Sequence, residues 1–227
     1  MNAIYLPHRL FGNLYINWER RHLTSDYEQQ YYDIFSQEYI PQVIATMHPT
    51  SPNTGQRTTG EFETNRGNRA RMNLVERLKR KGIRNLSVLD AIEAVPRHLF
   101  LGPEQIDDAY IDTALPIGHA QTISQPFVVA LMSEMLLAAA KKSQRVLEIG
   151  TGCGYQTAIL SHLFDRVCSV ERILSLSQRA EKNLELLCIN NAILQHGDGT
   201  DGWRGQETFD AIIVTAASDN LPQPLLQ

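Results

Sequence analysis

The segment RVLEIGTGCGY, residues 145–155, constrains the fold of this chain more than any other. Its first half contains Val146, Leu147 and Ile149, an apolar set that is expected of a short buried strand. Three glycines then occupy alternate positions: Gly150, Gly152 and Gly154. A turn without Cβ atoms lets the backbone N–H groups at a helix N-terminus approach a ligand closely. The segment therefore predicts a strand, a glycine turn and a helix that bind a nucleotide-type cofactor.

An acidic residue in this segment separates two classes of cofactor. The dinucleotide fingerprint G-x-G-x-x-G requires its third glycine at position 155, which is Tyr155. Glu148 lies two residues before the first glycine, where a carboxylate repels a pyrophosphate but attracts a cation. S-adenosylmethionine carries an ammonium and a sulfonium. The pattern therefore favours a methyl-donor site over a nicotinamide site, and a tight turn that binds no ligand is the alternative.

Further acidic residues follow the next predicted strands. Glu171 ends a strand about 20 residues past the first glycine, where an acid holds the two ribose hydroxyls of an adenosine. Asp198, next to Gly199, is placed to accept a hydrogen bond from an exocyclic amine such as that of adenine, and a plain Asp-Gly turn is the alternative. The elements predicted after the glycine turn are helix 156–163, strand 167–170, helix 174–187, strand 192–194 and strand 209–214. This alternation predicts an α/β fold with a parallel sheet.

Composition describes a soluble globular protein, with 43% hydrophobic and 20% charged residues among 227. The net charge of −4 argues weakly against a general nucleic-acid binder. No apolar run of signal-peptide length begins the chain, and charged or polar residues interrupt the longest apolar stretch, so we expect no membrane span. Three cysteines without a C-x-x-C pair predict reduced thiols and a cytoplasmic location, and the scattered histidines predict no metal site.

The part of the chain before the glycine turn divides into an extension, a linker and a helical region. Residues 1–47 predict an N-terminal extension with one amphipathic helix, and residues 48–68 a polar linker. Two helices are predicted over 69–81 and 87–95, the second capped by Ser87. Basic residues are frequent between 66 and 84, which is typical of a solvated helix face; a patch for an anionic partner is the alternative.

An irregular loop over residues 114–125 precedes a helix that begins at Pro126. The loop delivers four residues to the N-terminus of this helix, where hydroxyls and free N–H groups concentrate around a ligand: Gln121, Thr122, Ile123 and Ser124. The alternative is that Ser124 or Gln125 only caps the helix.

From about Met72 to the end, the sequence resembles the protein-L-isoaspartate (D-aspartate) O-methyltransferases, which repair damaged aspartyl and asparaginyl sites. The TISQP loop makes the resemblance specific, since the glycine motif alone would indicate only a class of methyltransferases. The matching segments are VPRHLF (95–100), ALPIGHAQTISQPFVVA (114–130), VLEIGTGCGYQTAIL (146–160), VCSVERI (167–173), GDGTDGW (197–203) and FDAIIVTAA (209–217).

The resemblance implies a Rossmann-like S-adenosylmethionine-dependent methyltransferase fold over residues 69–227, with the N-terminal helices and active-site loop in 69–125 and the cofactor-binding half in 126–227. It implies methyl transfer to the α-carboxylate of L-isoaspartyl and D-aspartyl residues in damaged proteins and peptides, with Ser124 as the active-site serine. The methionine end of the cofactor would contact Glu148, Gly150, Gly152, Cys153 and Gly154, the ribose Glu171, and the adenine Asp198 and Gly199, with Gln121, Thr122 and Ile123 bordering the cofactor.

The sequence departs from the family at its end. Family members have seven strands, whereas four can be read here, so we expect a C-terminally truncated sheet with an exposed fourth strand and weakened or absent catalysis. We expect a monomer without membrane or nucleic-acid partners. An RNA or DNA methyltransferase is one alternative, although the fourth strand ends in Thr215-Ala216-Ala217 and not in an Asn/Asp-Pro-Pro-aromatic element. A non-catalytic cofactor-binding or peptide-binding remnant is another.

Overall fold

Eight strands and five α-helices lie within the residues that the computed structural model describes, which are 4–6, 14–16, 65–140, 144–216 and 225. The strands are β1 Ile4–Leu6, β2 Leu14–Ile16, β3 Leu115–Gly118, β4 Gln121–Ile123, β5 Arg145–Ile149, β6 Arg166–Glu171, β7 Ala192–His196 and β8 Ala211–Val214. The helices are α1 Asn65–Arg80, α2 Leu86–Ala94, α3 Pro126–Ala139, α4 Tyr155–Ser161 and α5 Leu174–Leu186. Six strands form one sheet in the order β1-β2-β8-β5-β6-β7, and β3 pairs with β4.

The four strands β8, β5, β6 and β7 are parallel, as the sequence predicts. Because side chains alternate across a strand, Val146 joins the large cluster beneath the helices, whereas Leu147 joins a smaller cluster on the other face. Within the described residues, Trp203, Phe209 and Leu225 cover that second face. The α/β fold with a parallel sheet is therefore confirmed, and the carboxyl ends of β5, β6 and β8 meet at one edge.

The fourth predicted strand does not leave an open edge. Strand β2 lies antiparallel to β8, with Tyr15 opposite Val214, and β1 pairs antiparallel with β2. The expectation of an exposed edge is wrong because the N-terminal region supplies a strand that pairs with β8. Strands of three residues have too little period to be read from sequence. The amphipathic helix predicted for the N-terminal extension, which the spacing of the aromatic residues places at about 27–39, lies outside the described residues.

Two helices begin at other residues than the sequence analysis predicts. Helix α1 begins at Asn65, so residues 65–68 are helical and not part of a linker. Helix α2 is capped by Asn85, whose side chain accepts a hydrogen bond from the Val88 N–H at 3.2 Å. Ser87 therefore lies inside the helix and is not its cap. Asparagine and serine are both good N-caps, so the choice between them is not decided by residue type.

The predicted loop 114–125 is largely a β-hairpin, in which Leu115 pairs with Ile123 and Gly118 with Gln121. Its turn contains His119 and Ala120, both with positive φ. The register shifts within the hairpin, and Pro116 interrupts the apolar alternation that identifies a strand. These irregularities explain why the hairpin reads as a loop in the sequence.

Candidate active site

A cavity of about 210 Å³ opens at the carboxyl edge of the parallel strands. The hairpin β3–β4, the glycine turn after β5 and the segments that follow β6, β7 and β8 surround it. Ten of the twelve residues that the sequence analysis proposes for the site line this cavity: Gln121, Thr122, Ile123, Ser124, Gly150, Gly152, Cys153, Glu171, Asp198 and Gly199. The fold thus brings together residues that are almost 80 positions apart in the sequence.

Gly150 allows two loops at the sheet edge to approach each other closely. It has φ +101°, and a Cβ atom there would lie 2.8 Å from the Thr215 hydroxyl and 2.9 Å from the Ala216 nitrogen. The Thr215 hydroxyl donates to the carbonyl oxygens of Ile149 and Gly150. A larger residue at position 150 would therefore push apart the turns that follow β5 and β8.

Glu171 holds the glycine turn in place. Its Oε2 accepts a hydrogen bond from the Gly152 N–H at 2.8 Å, and its Oε1 accepts one from the Ile173 N–H at 2.9 Å. The side chain is mostly buried. The sequence analysis predicts a ribose contact for Glu171; the structure shows that its carboxylate fixes the backbone at the cavity.

Asp198 lies at the exposed rim of the cavity. Its Oδ1 accepts hydrogen bonds from the N–H and the hydroxyl of Thr200, at 2.9 and 2.8 Å. These bonds stabilise the carboxylate and lower the pKa of Asp198. The residue is therefore an ionised acceptor in an Asx-type turn, so the turn interpretation and the proposed contact with an amine are compatible.

Glu148 and Gly154 do not line the cavity. Glu148 is fully buried below the glycine turn, where Thr157 and Ser169 donate hydrogen bonds to its Oε2 at 2.5 and 2.7 Å. Burial raises the pKa of Glu148 to about 7. At Gly154, a Cβ atom would lie 3.2 Å from the Cβ of Ala180, so this glycine permits close packing of two helices. Both residues support the turn from below.

Ser124 is half-buried at the end of the hairpin, and it is not the cap of α3. Asp112 serves that purpose: its Oδ1 accepts a hydrogen bond from the Phe127 N–H at 2.8 Å, and its Oδ2 pairs with Lys81 at 2.7 Å. Gln125 occupies the N-cap position without a side-chain cap bond. The capping alternative for Ser124 and Gln125 is therefore wrong, because a carboxylate from a distant segment takes that place.

The sequence analysis misses several residues of the cavity wall, which include Ile117, Thr151, Gln156, Arg172, Thr215 and Ala216. Thr151 and Arg172 are direct neighbours of predicted site residues, and Thr215 and Ala216 follow the end of β8. Position at the carboxyl end of a parallel strand is the signal that would have found these four. Within the described residues no group of three or more potential metal ligands occurs. None of the helices described is both long and apolar enough to cross a membrane.

Comparisons with known proteins identify the relatives of this chain. The protein-L-isoaspartate O-methyltransferase of Pseudoalteromonas atlantica is 53% identical over 154 residues, which are 68% of this chain and 73% of that protein. The protein-L-isoaspartate O-methyltransferase 1 of Marinobacter nauticus is 54% identical over 158 residues, covering 70% of this chain and 72% of that protein.

Two solved structures share the fold and are more than 25% identical to this chain over the aligned residues. A protein-L-isoaspartate O-methyltransferase superposes with TM-score 0.62 at 32% identity and covers 69% of this chain, which spans 51% of that longer chain. A Plasmodium falciparum protein described as a putative protein-L-isoaspartate O-methyltransferase, in complex with S-adenosyl-L-homocysteine, gives TM-score 0.59 at 29% identity, covering 69% of this chain and 78% of that one.

The part of the chain that matches the family contains the residues that surround the cavity. The sequence profile of the protein-L-isoaspartate(D-aspartate) O-methyltransferases matches residues 68–227, which include every cavity-lining residue. With this match and relatives more than half identical, the chain belongs to the protein-L-isoaspartate(D-aspartate) O-methyltransferase family, whose members use S-adenosylmethionine.

Proposed function

We propose that the cavity binds S-adenosylmethionine, and that the chain transfers its methyl group to the α-carboxylate of L-isoaspartyl and D-aspartyl residues in damaged proteins and peptides. The observation that carries the proposal is the convergence of Ser124, the glycine turn and two carboxylates, Glu171 and Asp198, on one cavity. These residues come from four separate segments of the chain. The resulting activity is that of a protein-repair methyltransferase.

The residues around the cavity fit this cofactor better than a dinucleotide. The Gly152 N–H donates to Glu171, so this amide of the turn is already satisfied and does not face a phosphate. Two acidic side chains at the cavity disfavour a pyrophosphate and favour hydroxyls, amines and cationic groups. Apolar side chains of Ile149, Val214 and Leu225 offer a surface for an adenine ring.

Within this site we assign roles by position. Glu171 would hold the ribose, and Asp198 with Gly199 the adenine, while Gln121, Thr122 and Ile123 of the hairpin cover the cofactor. The methionine end would lie along Gly150, Gly152 and Cys153. Glu148 and Gly154, which are part of the same motif, act through the geometry of the turn, since neither reaches the cavity wall.

The proposed reaction requires little proton transfer by the protein. An α-carboxylate is ionised at neutral pH, so no strong general base is needed. The bound cofactor supplies an activated methyl group. The chain then contributes mainly by orienting the substrate carboxylate. Ser124 lines the cavity, and we assign to its hydroxyl a hydrogen bond to that carboxylate.

Nucleic acid is a less suitable substrate for this surface, because two basic residues in and directly after α1 pair with acidic side chains. Lys79 pairs with Glu76, and Lys81 pairs with Asp112. We further propose a monomeric protein in the cytoplasm, where the buried thiols of Cys153 and Cys168 stay reduced. Analytical ultracentrifugation tests the monomer.

A radiolabelled methyl-transfer assay tests the proposed reaction. The substrates are two versions of one peptide, with isoaspartate or with normal aspartate at a single position, and an unrelated RNA serves as a third substrate. We expect a base-labile methyl ester on the isoaspartyl peptide alone. Labelling of RNA, or equal labelling of both peptides, would contradict the proposal. Calorimetry that shows cofactor binding without any ester would instead indicate a non-catalytic binding protein.

A further inference from the structure

Arg97 is a fully buried cation next to the active site, and no residue of its segment was assigned a role above. Its Nε donates to the carbonyl oxygen of Ala109 at 2.9 Å, its Nη1 to that of Ser124 at 2.9 Å, and its Nη2 to that of Thr113 at 3.1 Å. Its guanidinium carbon also lies 5.1 Å from the ring centre of Tyr155. All three nitrogens of the guanidinium are therefore used.

Two of these carbonyls flank the hairpin β3–β4. Thr113 lies two residues before the hairpin begins, and Ser124 follows directly after it ends. One side chain thus donates hydrogen bonds to the backbone at both ends of the hairpin. The ring of Tyr155, the first residue of α4, sets the position of the guanidinium relative to the glycine turn. Arg97 thus connects the end of the hairpin at Ser124 to Tyr155, and both of these residues line the cavity.

A buried guanidinium in this position favours one position of the hairpin over others. Burying a cation is costly unless its N–H groups are satisfied, and here neutral carbonyl oxygens and an aromatic face satisfy them. A displaced hairpin would leave two carbonyls and two nitrogens of the buried guanidinium without partners. The arrangement therefore penalises alternative positions of Ser124, whereas a hydrophobic contact would tolerate them.

We propose that Arg97 is a positioning residue that holds the hairpin and Ser124 at the cavity. The part of this inference that concerns methyl transfer rests on the proposed function, whereas the part that concerns the hairpin does not. Lysine cannot replace arginine here, because a single ammonium on a flexible stem cannot reach three carbonyls in the directions that a planar guanidinium does.

Hydrogen exchange followed by mass spectrometry tests the positioning without cofactor or substrate. The variants are Arg97→Lys and Arg97→Met, of which the second keeps an apolar stem and buries no charge. The matched control is Ile83→Ala, a core truncation in the turn after α1 that lowers stability without touching the hairpin contacts named here. In the Arg97 variants we expect exchange in residues 113–124 to be at least about tenfold faster, with the strands β5 and β6 unchanged.

Activity gives the second readout. In a folded Arg97 variant we expect kcat/KM for the isoaspartyl peptide to fall by about tenfold or more, while Ile83→Ala at a similar Tm keeps the wild-type value. Hairpin exchange equal to that of Ile83→Ala would overturn the positioning role. Unfolding of both Arg97 variants would also overturn it, because Arg97 would then be required by the whole fold. Absence of methyl ester with the wild-type chain refutes the proposed function alone, since the exchange result is independent of it.

Discussion

The carboxylate of Glu171 accepts a hydrogen bond from the backbone N–H of Gly152, with 2.8 Å between Oε2 and N. The strand β6 thereby fixes the glycine turn that follows its neighbour β5. The same carboxylate also accepts from the N–H of Ile173 at the start of the next helix. One acidic side chain therefore orders two segments of the cavity wall, and its charge disfavours anionic ligands at the turn.

Replacement of Glu171 by glutamine is expected to weaken cofactor binding. The amide oxygen of glutamine satisfies only one of the two N–H groups, and its NH₂ group would face the other as a second donor. A lost hydrogen bond to a charged group costs about 1.5–3 kcal/mol, so we expect the Kd for S-adenosylhomocysteine to rise by about 10- to 100-fold. Isothermal titration calorimetry measures this, with the exposed Glu181→Gln on α5 as control. A wild-type Kd for Glu171→Gln would contradict this role.

Ser124→Ala separates turnover from cofactor binding. The hydroxyl is expected to donate a hydrogen bond to the substrate carboxylate, and it does not cap α3. Its loss should lower kcat by about tenfold, which corresponds to about 1.4 kcal/mol, with less than about a twofold change in cofactor Kd. Steady-state kinetics with an isoaspartyl peptide measure the effect, and the exposed Ser87→Ala in α2 is the matched control. An unchanged kcat would leave Ser124 without a role in turnover.

The buried Glu148 predicts a pH dependence of stability. Burial raises its pKa to about 7 in the folded chain, whereas the ordinary glutamate pKa, which applies to the unfolded chain, is 4.5. Between these values the folded state holds a proton that the unfolded state has lost, so stability is full below pH 4.5 and decreases as the pH rises to about 7. Above that pH both states are ionised and no further loss follows.

Glu148→Gln removes this contribution while the amide oxygen can still accept from Thr157 and Ser169. Urea unfolding at about pH 5 and about pH 8 should show that the wild type loses about 2–3 kcal/mol more than the variant between the two conditions. The exposed Glu181→Gln serves as control, since it should retain the wild-type pH dependence. Parallel pH profiles for wild type and Glu148→Gln would exclude a raised pKa at this position.

The sequence predicts those parts of the fold that depend on residue types at short spacing along the chain. The glycine turn, the acid at the end of β6 and the apolar run of β8 each follow from residue types at fixed spacing, and the parallel sheet follows from their order. The wall residues Thr215 and Ala216 require knowledge of which strands are neighbours. Strand β8 lies next to β5, although it is the last of the four parallel strands in the chain.

The site residues that sequence misplaces depend on long-range contacts. Glu148 belongs to the glycine motif, yet the alternation of β5 turns its side chain towards the helical face of the sheet. The cap of α3 comes from Asp112, which accepts a hydrogen bond from the N–H of Phe127, 15 residues later in the chain. Similarly, Arg97 is 27 positions from Ser124. No local sequence pattern predicts contacts of this kind, because they join residues that are brought together only when the chain folds.

The pairing of β2 with β8 leads to a prediction about the N-terminal region. Strand β8 has only buried residues and lies at the edge of the parallel strands, so its free side would be a site for association with other chains. Tyr15 is the residue that stands opposite Val214 in this pairing. Proline at position 15 lacks the N–H group and is unfavourable in a paired strand, whereas valine favours strands.

We therefore expect Tyr15→Pro to aggregate on heating and to lose stability, while Tyr15→Val remains close to the wild type. The loss should be about 1–3 kcal/mol, as for a disrupted strand pairing that leaves backbone groups without partners. Light scattering during a thermal ramp and urea unfolding measure the two effects. The methyl-transfer assay adds a further test, because β8 leads directly into Thr215 and Ala216 of the cavity wall. If Tyr15→Pro and Tyr15→Val behave alike, the free side of β8 is protected by something other than β2.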